Sequence, residues 1–482
     1  MVGPTSFKAA LVNKSKNEPI AAPSGPFFGH PAGLGWLSGS EFWERFSYYG
    51  MQALLVLYMT HSLLQPAHVG HVLGFEPFRS FLQSIYGPLS PDALASVIFG
   101  LYAGLVYVTP ILGGLLADRL LGRTATVTIG ASLMALGHFL MAFDVSFLIA
   151  LLCLLLGSGC FKGNIATQVG DLYGADDPRR ADAFQIYMLG IQLAVIGSPL
   201  VCGTLGEVYG WHWGFGAAGV GMLIGLTIYL IGRPNFPPER ARMKKDDAAS
   251  RRPAVAPGEW RNLIILLALL PVLALSLVGN NQIFNAYLVW AERSYQLVVF
   301  GAKMPVTWIL SFGSVISAAM IAFSATFWRW WGKHWAEPDE LSKIAIGVTI
   351  AAAAPLFLVA ASLIFASSGH RVSLGWAVVF EIVNDLGFAN VLPVGLALYS
   401  RASPKGFEGA MIGIYYLHLF AANMLVGWLG GLLDQMQPSA FWLLHAALIA
   451  IAAAVLIVVR LSFGRSLAPA YKAPELAQQS AA

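Results

Sequence analysis

Apolar segments of about 20 residues, the length that crosses a bilayer as an α-helix, follow one another along almost the whole chain. Of the 482 residues, 57% are hydrophobic and 11% are charged. In an average soluble protein about a quarter of the residues are charged. The sequence therefore predicts an all-α membrane protein and excludes a soluble globular domain.

Twelve such segments are expected, at 36–64, 92–117, 123–143, 146–169, 181–208, 211–232, 261–290, 305–332, 340–366, 373–400, 409–433 and 438–461. Lys and Arg placement gives the orientation, because these residues concentrate in cytoplasmic loops. With both termini cytoplasmic, the outer loops hold only Arg79, Arg293, Lys303 and Arg371. We therefore expect a multi-pass protein of the inner (plasma) membrane with both termini cytoplasmic.

One polar segment divides the chain into two parts with six predicted helices each. It runs from 233 to 261 and is rich in proline and charged residues. We predict an N-terminal bundle over 1–232, a cytoplasmic linker over 233–261 and a C-terminal bundle over 262–482. This plan is typical of transporters that bind substrate between two halves near mid-membrane.

The first predicted helix carries charged residues where lipid is expected. Spacings of three and four residues put Glu41, Glu44 or Arg45, Tyr48 and Gln52 along one face. A charge at mid-membrane costs about 3 kcal/mol or more, so this face is predicted to line a central cavity. The alternative is a self-neutralising structural cluster. It is less favoured, because two acids outnumber one base and leave an odd proton site.

A second buried cation is expected at Lys162 on the fourth helix. Beside Glu41 and Glu44 its ammonium group can remain charged. Two acids and two bases on facing helices form a coupled titrating system. Protonation of one carboxylate frees a cation to bind a carboxylate of the substrate, which links a proton gradient to anion binding.

The first helix also resembles a known signature. Glu41-x-x-Glu44-Arg45-Phe46-x-Tyr48-Tyr49 matches the ExxERFxYY motif of the proton-dependent oligopeptide transporter (POT) family of the major facilitator superfamily. The resemblance covers nearly the whole chain. Further matching segments are 107–110, 114–123, 161–164, 187–192, 210–216, 393–396 and 411–415.

The resemblance implies a proton-coupled symporter that imports di- and tripeptides by alternating access, with no cofactor. It implies proton coupling by Glu41, Glu44, Arg45 and Lys162, with Arg45 and Lys162 holding the peptide carboxylate. The predicted substrate-binding residues are Arg45, Tyr48, Tyr49, Tyr102, Lys162, Gln192, Asn281, Trp308, Asp385, Phe388 and Tyr415. The expected partners are small peptides, protons and membrane lipid, and the chain is expected to be monomeric.

The sequence departs from the family at an outer gate. Family members usually carry an arginine just after the YYG segment, and here that position is Gln52. The usual partner is a glutamate on the seventh helix, and here that position is Asn281. Loss of both charges avoids stranding one of them in the membrane. We predict a non-titrating gate closed by a Gln52–Asn281 hydrogen bond.

The end of the pocket that holds a peptide's amino group also differs. The family's glutamate on the tenth helix is replaced by Phe388, and its asparagines on the eighth and fifth helices by Gly313 and Gln192. Asp385 and Glu381 precede Phe388 in the sequence and share its helical face, one and two turns nearer the predicted outside. We predict that Asp385 takes over as the amine-binding or gating carboxylate. The alternative places both acids near the outer mouth, solvated.

Two other functions compete with peptide symport. The altered amine pocket is compatible with a carboxylate-bearing solute that lacks a free α-amine, such as a modified peptide, an organic anion or nitrate. A transport-inactive sensor is disfavoured by the retained charges. Cys153, Cys160 and Cys202 lie in apolar segments without metal-ligand spacing. No catalytic motif, metal site or basic stripe for nucleic acid is found, so enzyme activity has no support.

Overall fold

The computed structural model describes residues 25–174, 177–238, 257–299, 301–403 and 408–467. Most of the predicted linker and the terminal tails lie outside the described residues. In the first part of the chain the helices are α1 Ala32–Tyr58, α2 Pro66–Val69, α3 Phe75–Tyr86, α4 Pro91–Leu105, α5 Thr109–Leu116, α6 Arg123–Leu140, α7 Phe147–Asp171, α8 Arg179–Ser198 and α9 Trp211–Gly232.

The second part of the chain is also helical, apart from one short hairpin. Its elements are α10 Pro257–Ser276, α11 Val278–Asn281, α12 Ala286–Ser294, the antiparallel strands β1 Val298–Val299 and β2 Ala302–Lys303, α13 Trp308–His334, α14 Glu340–Ser368, α15 Gly375–Arg401, α16 Glu408–Gly430 and α17 Pro438–Leu467. Short π-helical turns extend α1 over Met59–Leu63 and α5 over Ala117–Leu121, and follow α8 over Pro199–Gly203 and Leu205–Tyr209.

Among the described residues, nine helices are long and apolar enough to cross a membrane. A tenth crossing consists of two segments, Trp260–Ser276 and Val278–Phe284, which meet at a bend of 48°. The two remaining predicted spans coincide with α1 and α6, which are helical but not among those nine. The predicted all-α architecture is therefore confirmed, while the count of twelve crossings stays a prediction.

Local sequence signals explain several helix boundaries. The Ser90 hydroxyl accepts a hydrogen bond from the Ala93 amide at 3.1 Å, and Pro91 begins α4. Both features are typical of helix N-termini. Gly122 and Gly210, with φ of 81° and 122°, connect tightly packed helices in a backbone conformation that favours glycine. These residues place successive helices side by side with short connections.

The helices pack as two groups. In the first, α1 packs against α8 and α9, and α6 packs against α7 and α9. In the second, α14 packs against α15 and α17, and α10 packs against α16 and α17. The groups meet where α4 contacts α16, α8 contacts α13 and α1 contacts α12. The exact division at 1–232, 233–261 and 262–482 stays a prediction, because most of the linker is not described.

Glycines allow a close contact between α4 and α16. A Cβ atom on Gly100 would lie 2.5 Å from both the Asn423 carbonyl oxygen and the Gly427 Cα. Small residues allow such backbone approach in membranes, where packing drives helix association. The contact lies toward the end of the helices where α1 is connected to α4, α6 to α7, α8 to α9, and α12 to α13. We call this the predicted outer end.

We expect Gly100→Val to destabilise the protein, because the new side chain must separate α4 from α16. Overpacking of this kind costs about 1–3 kcal/mol. The melting temperature of the purified protein should fall, and should fall less for Gly216→Val, since a Cβ at Gly216 meets open space. Equal melting temperatures for the two variants would contradict the close contact.

Candidate transport site

Three charged side chains of α1 form a buried cluster. The Arg45 Nε lies 2.7 Å from Glu41 Oε1 and 3.0 Å from Glu44 Oε2. Glu41 and Glu44 are 1% and 0% exposed. Glu41 Oε2 and Glu44 Oε1 lack a hydrogen-bond partner in this structure. Glu44 Oε2 forms the ion pair with Arg45 but does not meet the geometry of a hydrogen bond. One guanidinium therefore serves two carboxylates, which leaves acceptor capacity for a proton.

Lys162 approaches this cluster from α7. Its ammonium nitrogen lies 4.0 Å from the centroid of the Tyr48 ring, which is a cation–π contact. Lys162 is half-buried, whereas Tyr48 is 4% exposed. The direct contact of the lysine is with this ring, and Lys162 forms no ion pair with Glu41 or Glu44 in this structure.

Aromatic side chains surround the charges on several helices. Tyr102 on α4 is buried, and the Tyr49 ring lies 6.1 Å from that of Phe284 on the broken seventh crossing. Tyr187 on α8 is 3% exposed and lies close to Glu41. Tyr187 was not among the predicted site residues. It could have been found from the sequence, because it lies in the segment 187–192 that matches the family and that also contains Gln192.

The predicted Gln52–Asn281 hydrogen bond is not formed in this structure. The Gln52 Oε1 and the Asn281 Nδ2 are buried atoms without a hydrogen-bond partner. The reason is the break in the seventh crossing, which places Asn281 at the end of the short α11. The amides that follow bind elsewhere: Gln282 donates to the Val426 carbonyl at 3.4 Å, and Asn285 donates to Ser96 Oγ at 2.6 Å.

Closure at the predicted outer end instead uses residues that the sequence did not single out. His61 Nε2 lies 2.7 Å from Glu292 Oε2 and thereby joins α1 to α12. Glu207 accepts hydrogen bonds from the backbone amides of Val306 and Thr307 at 2.8 and 3.0 Å. A carboxylate at the amino end of a helix is favourable electrostatically. These contacts hold the two helix groups together.

The two acids on α15 lie inside the protein. Glu381 is 2% exposed and Asp385 is 3% exposed, so their assignment to a solvated outer mouth is wrong. Asn384 Nδ2 donates to Asp385 Oδ1 at 3.4 Å, while Asp385 Oδ2 has no hydrogen-bond partner in this structure. Among the described residues, no cation forms an ion pair with either acid. Phe388 is half-buried and packs against the core of the second helix group.

Gly313 makes room for one of these acids. A Cβ at Gly313 would lie 3.0 Å from Glu381 Cδ and 3.1 Å from Glu381 Oε1. The glycine that replaces a family asparagine is therefore paired with a carboxylate that enters from α15. The Glu381 carboxylate thereby fills space that a larger residue at position 313 would occupy.

Two of the other predicted pocket residues form hydrogen bonds within the protein. Trp308 Nε1 donates to Thr204 Oγ1 at 2.8 Å between α13 and the end of α8. Tyr415 is 0% exposed and donates to the Leu392 carbonyl at 2.8 Å. Gln192 is half-buried on α8. Among the described residues, no group of three or more His, Cys, Asp or Glu side chains is arranged to hold a metal ion.

Comparison with known proteins identifies the family of the chain. The POT family profile matches residues 124–251. The di-/tripeptide transporter of Lactococcus lactis subsp. cremoris is 30% identical over 452 residues, which covers 81% of this chain and 87% of that protein. The chain belongs to the POT family.

Two further members extend the likeness. The peptide transporter YePEPT of Yersinia enterocolitica is 29% identical over 505 residues and covers 90% of this chain and 94% of its own length. A crystal structure of a POT peptide transporter in complex with sulfate has a TM-score of 0.79 and 26% identity, covering 92% of this chain and 97% of that chain. The predicted major facilitator fold is therefore confirmed.

We expect Gly313→Ala to destabilise the protein by pushing the Glu381 carboxylate from its place. Contacting residues typically show coupling energies of about 0.5–3 kcal/mol. Adding Glu381→Ala to Gly313→Ala should therefore cost less than the sum of the single substitutions, measured as melting temperatures in a double-mutant cycle. Simple additivity would show that Gly313 and Glu381 do not constrain each other.

Proposed function

We propose that this POT family member is a proton-coupled symporter that imports di- and tripeptides by alternating access. The observation that carries the proposal is the buried cluster of Glu41, Glu44 and Arg45 with Lys162 over Tyr48. The names of the bacterial relatives support peptides as the substrates. We place the chain in an inner membrane with both termini cytoplasmic, as a monomer that needs no cofactor and is not an enzyme.

The cations of the cluster suit a peptide carboxylate. Arg45 is held by two acids of its own helix, so its guanidinium is fixed in position but electrostatically shared. Lys162 faces an aromatic ring, which leaves its ammonium hydrogens available to a ligand. Two cations in one low-dielectric site bind an anion more strongly than in water. Arg45 and Lys162 are thus proposed to hold the carboxylate, with Tyr48, Tyr49 and Tyr102 beside it.

The acids of the cluster provide the coupling. Glu44 is fully buried, and within the described part of the chain Arg45 is the cation that forms an ion pair with it. When Glu44 takes a proton, Arg45 loses one of its two counter-charges and becomes a better partner for a substrate carboxylate. Proton binding and substrate binding then favour each other, and this mutual dependence is reciprocal. Release of both toward the cytoplasm returns the cluster to its charged state.

The acids on α15 are proposed to receive the amino group. Asp385 and Glu381 are buried in the second helix group, whereas the cationic cluster belongs to the first. Buried carboxylates normally have a cation or a proton as partner. The peptide ammonium group supplies that cation, with Asp385 as the contacting residue and Glu381, fitted against Gly313, behind it.

The competing function is transport of a carboxylate-bearing solute without a free amine, motivated by Phe388, Gly313 and Gln192. The buried acids on α15 favour the free-amine substrate instead, because a solute without a cation leaves them unpartnered. A transport-inactive sensor has no use for a titrating cluster that is costly to bury.

Neutralising one acid tests the coupling. We expect Glu44→Gln in proteoliposomes to lose peptide uptake driven by an imposed pH gradient and to retain peptide exchange in counterflow. The amide keeps the shape of the side chain and removes the proton site. Glu76→Gln, at a side chain that is 77% exposed, is the matched control and should behave as wild type. Gradient-driven uptake that survives in Glu44→Gln contradicts the proposed role, and absence of uptake for every small peptide tested with the wild type contradicts the function.

Competition assays test the amine site. Free dipeptides should inhibit uptake of a labelled peptide strongly, whereas the N-acetylated forms should inhibit at least about tenfold less, since a lost charge-assisted hydrogen bond costs about 1.5–3 kcal/mol. Asp385→Asn and, to a smaller extent, Glu381→Gln should reduce this discrimination. Equal inhibition by both peptide forms supports the competing function. Wild-type discrimination in both variants rules out the acids on α15.

A further inference from the structure

Several contacts at the predicted outer end converge on α12, the last segment of the seventh crossing. Arg293 Nη2 lies 2.8 Å from Asp92 Oδ2 on α4, and Arg293 Nη1 lies 3.7 Å from Asp434 Oδ1. His61 Nε2 lies 2.7 Å from Glu292 Oε2. The α12 segment, in the second helix group, is therefore tied to α1 and α4 of the first.

The backbone allows α12 to move separately from the rest of its crossing. The inner part bends by 48° between Ser276 and Val278. A second interruption follows at Asn285, where φ is −123° and ψ is −117°. Breaks of this kind are where a helix changes direction during a conformational change.

His61 is accessible to protons from the predicted outer side. It lies in the π-helical turn that extends α1, and its side chain is 38% exposed, while that of Glu292 is 31% exposed. Its ring stacks on Trp211 at the start of α9, with 6.4 Å between centroids and 11° between planes. This stacking fixes the ring so that Nε2 points at the carboxylate.

The charged groups around this pair are few. Asp92 and Arg293 act on His61, and Arg293, Lys303 and His61 act on Glu292. Glu207, which caps the start of α13, is influenced by Glu292. Arginine, lysine and free carboxyl groups keep their charge between pH 5 and 8, whereas histidine changes its charge in this range. His61 is therefore the member of the set whose ordinary pKa lies in this range.

We propose that His61 and Glu292 form a proton-operated latch on the outer entrance of the transport path. Protonated His61 carries a positive charge and attracts the Glu292 carboxylate, so acid outside favours the closed outer end. Neutral His61 retains one hydrogen bond without the charge, which is a weaker link. The Gln52–Asn281 position is neutral in this chain and cannot respond to pH. The latch supplies a pH-sensitive contact between the two helix groups instead.

The latch rests on the proposed alternating access, but not on the identity of the substrate. It adds a role for the proton at the entrance that is separate from its role at Glu44. Protonation at the entrance favours closure toward the outside, and therefore passage to the state that faces the cytoplasm. The direction agrees with import driven by an acidic exterior.

Spin-label distances test the latch without any substrate. Labels at Val208 and Arg371, both exposed and one in each helix group, report opening of the predicted outer end. The three native cysteines are replaced by alanine, and the full chain is placed in lipid nanodiscs. In the wild type the ratio of closed to open populations should rise as pH falls from 8 to 5, by up to about fivefold, as expected for a partly exposed ion pair.

Two variants and one control isolate the histidine. His61→Gln keeps a hydrogen-bond donor without titration, and Glu292→Gln removes the charge of the partner, so both should lose the pH-dependent part of the change. His68→Gln is the matched control, because His68 pairs with Asp144 at 2.7 Å within the first helix group. It should retain the wild-type response. A wild-type response in both His61→Gln and Glu292→Gln, or equal loss in His68→Gln, overturns the proposal.

The measurements distinguish failure of the latch from failure of the peptide assignment. If no peptide is transported but the distances respond to pH through His61, the latch stands and the peptide assignment fails. If peptides are transported with normal coupling while His61→Gln keeps the pH response, the latch fails and the symporter assignment stands.

Discussion

Burial of two carboxylates beside one guanidinium on α1 is the constraint on which the rest of the structure depends. Glu41 and Glu44 are almost completely removed from solvent, and Arg45 contacts both. A buried charge without its partner costs several times what an exposed pair contributes. The helix must therefore be covered on the side of these charges, and α7, α8 and α9 provide the cover. One helix thereby forms both the centre of its group and the proposed binding site.

The second helix group also buries two acids, but it does not pair them with a cation of the described residues. Its buried acids, Glu381 and Asp385, have no cation among the described residues, so their charge depends on a proton or a ligand. The fit of Glu381 against Gly313 shows that the acid belongs to the packing of α13 and α15. The two groups thus differ in how their buried acids are compensated: Arg45 pairs with both acids on α1, whereas no cation among the described residues pairs with those on α15.

The broken seventh crossing connects these groups. It separates an inner helix, which packs against α16 and α17, from an outer segment that is tied to α1 and α4. The amides of Gln282 and Asn285 bind the region around the break to α16 and α4. Because the mid-membrane position of Gln52 and Asn281 carries no charge, closure depends on contacts nearer the predicted outer end.

The sequence alone determined much of this protein. Apolar segments of membrane-spanning length identified an all-α membrane protein, since lipid leaves the backbone few other ways to satisfy its hydrogen bonds. The positions of Glu41, Glu44 and Arg45 followed from helical spacing, because residues of one helix are arranged by a fixed period. The motif on this helix also identified the family. All of these are local properties of the chain.

Tertiary structure decided the rest, since contacts between distant segments depend on how helices rotate and bend. The contact of Lys162 with Tyr48, the fit of Glu381 against Gly313 and the missing Gln52–Asn281 bond each involve residues on different helices. The bend in the seventh crossing shifted its amides, and no periodic pattern predicts where such a bend directs a side chain. The His61–Glu292 pair spans 231 positions of sequence and formed only through the packing of α1 beside α12.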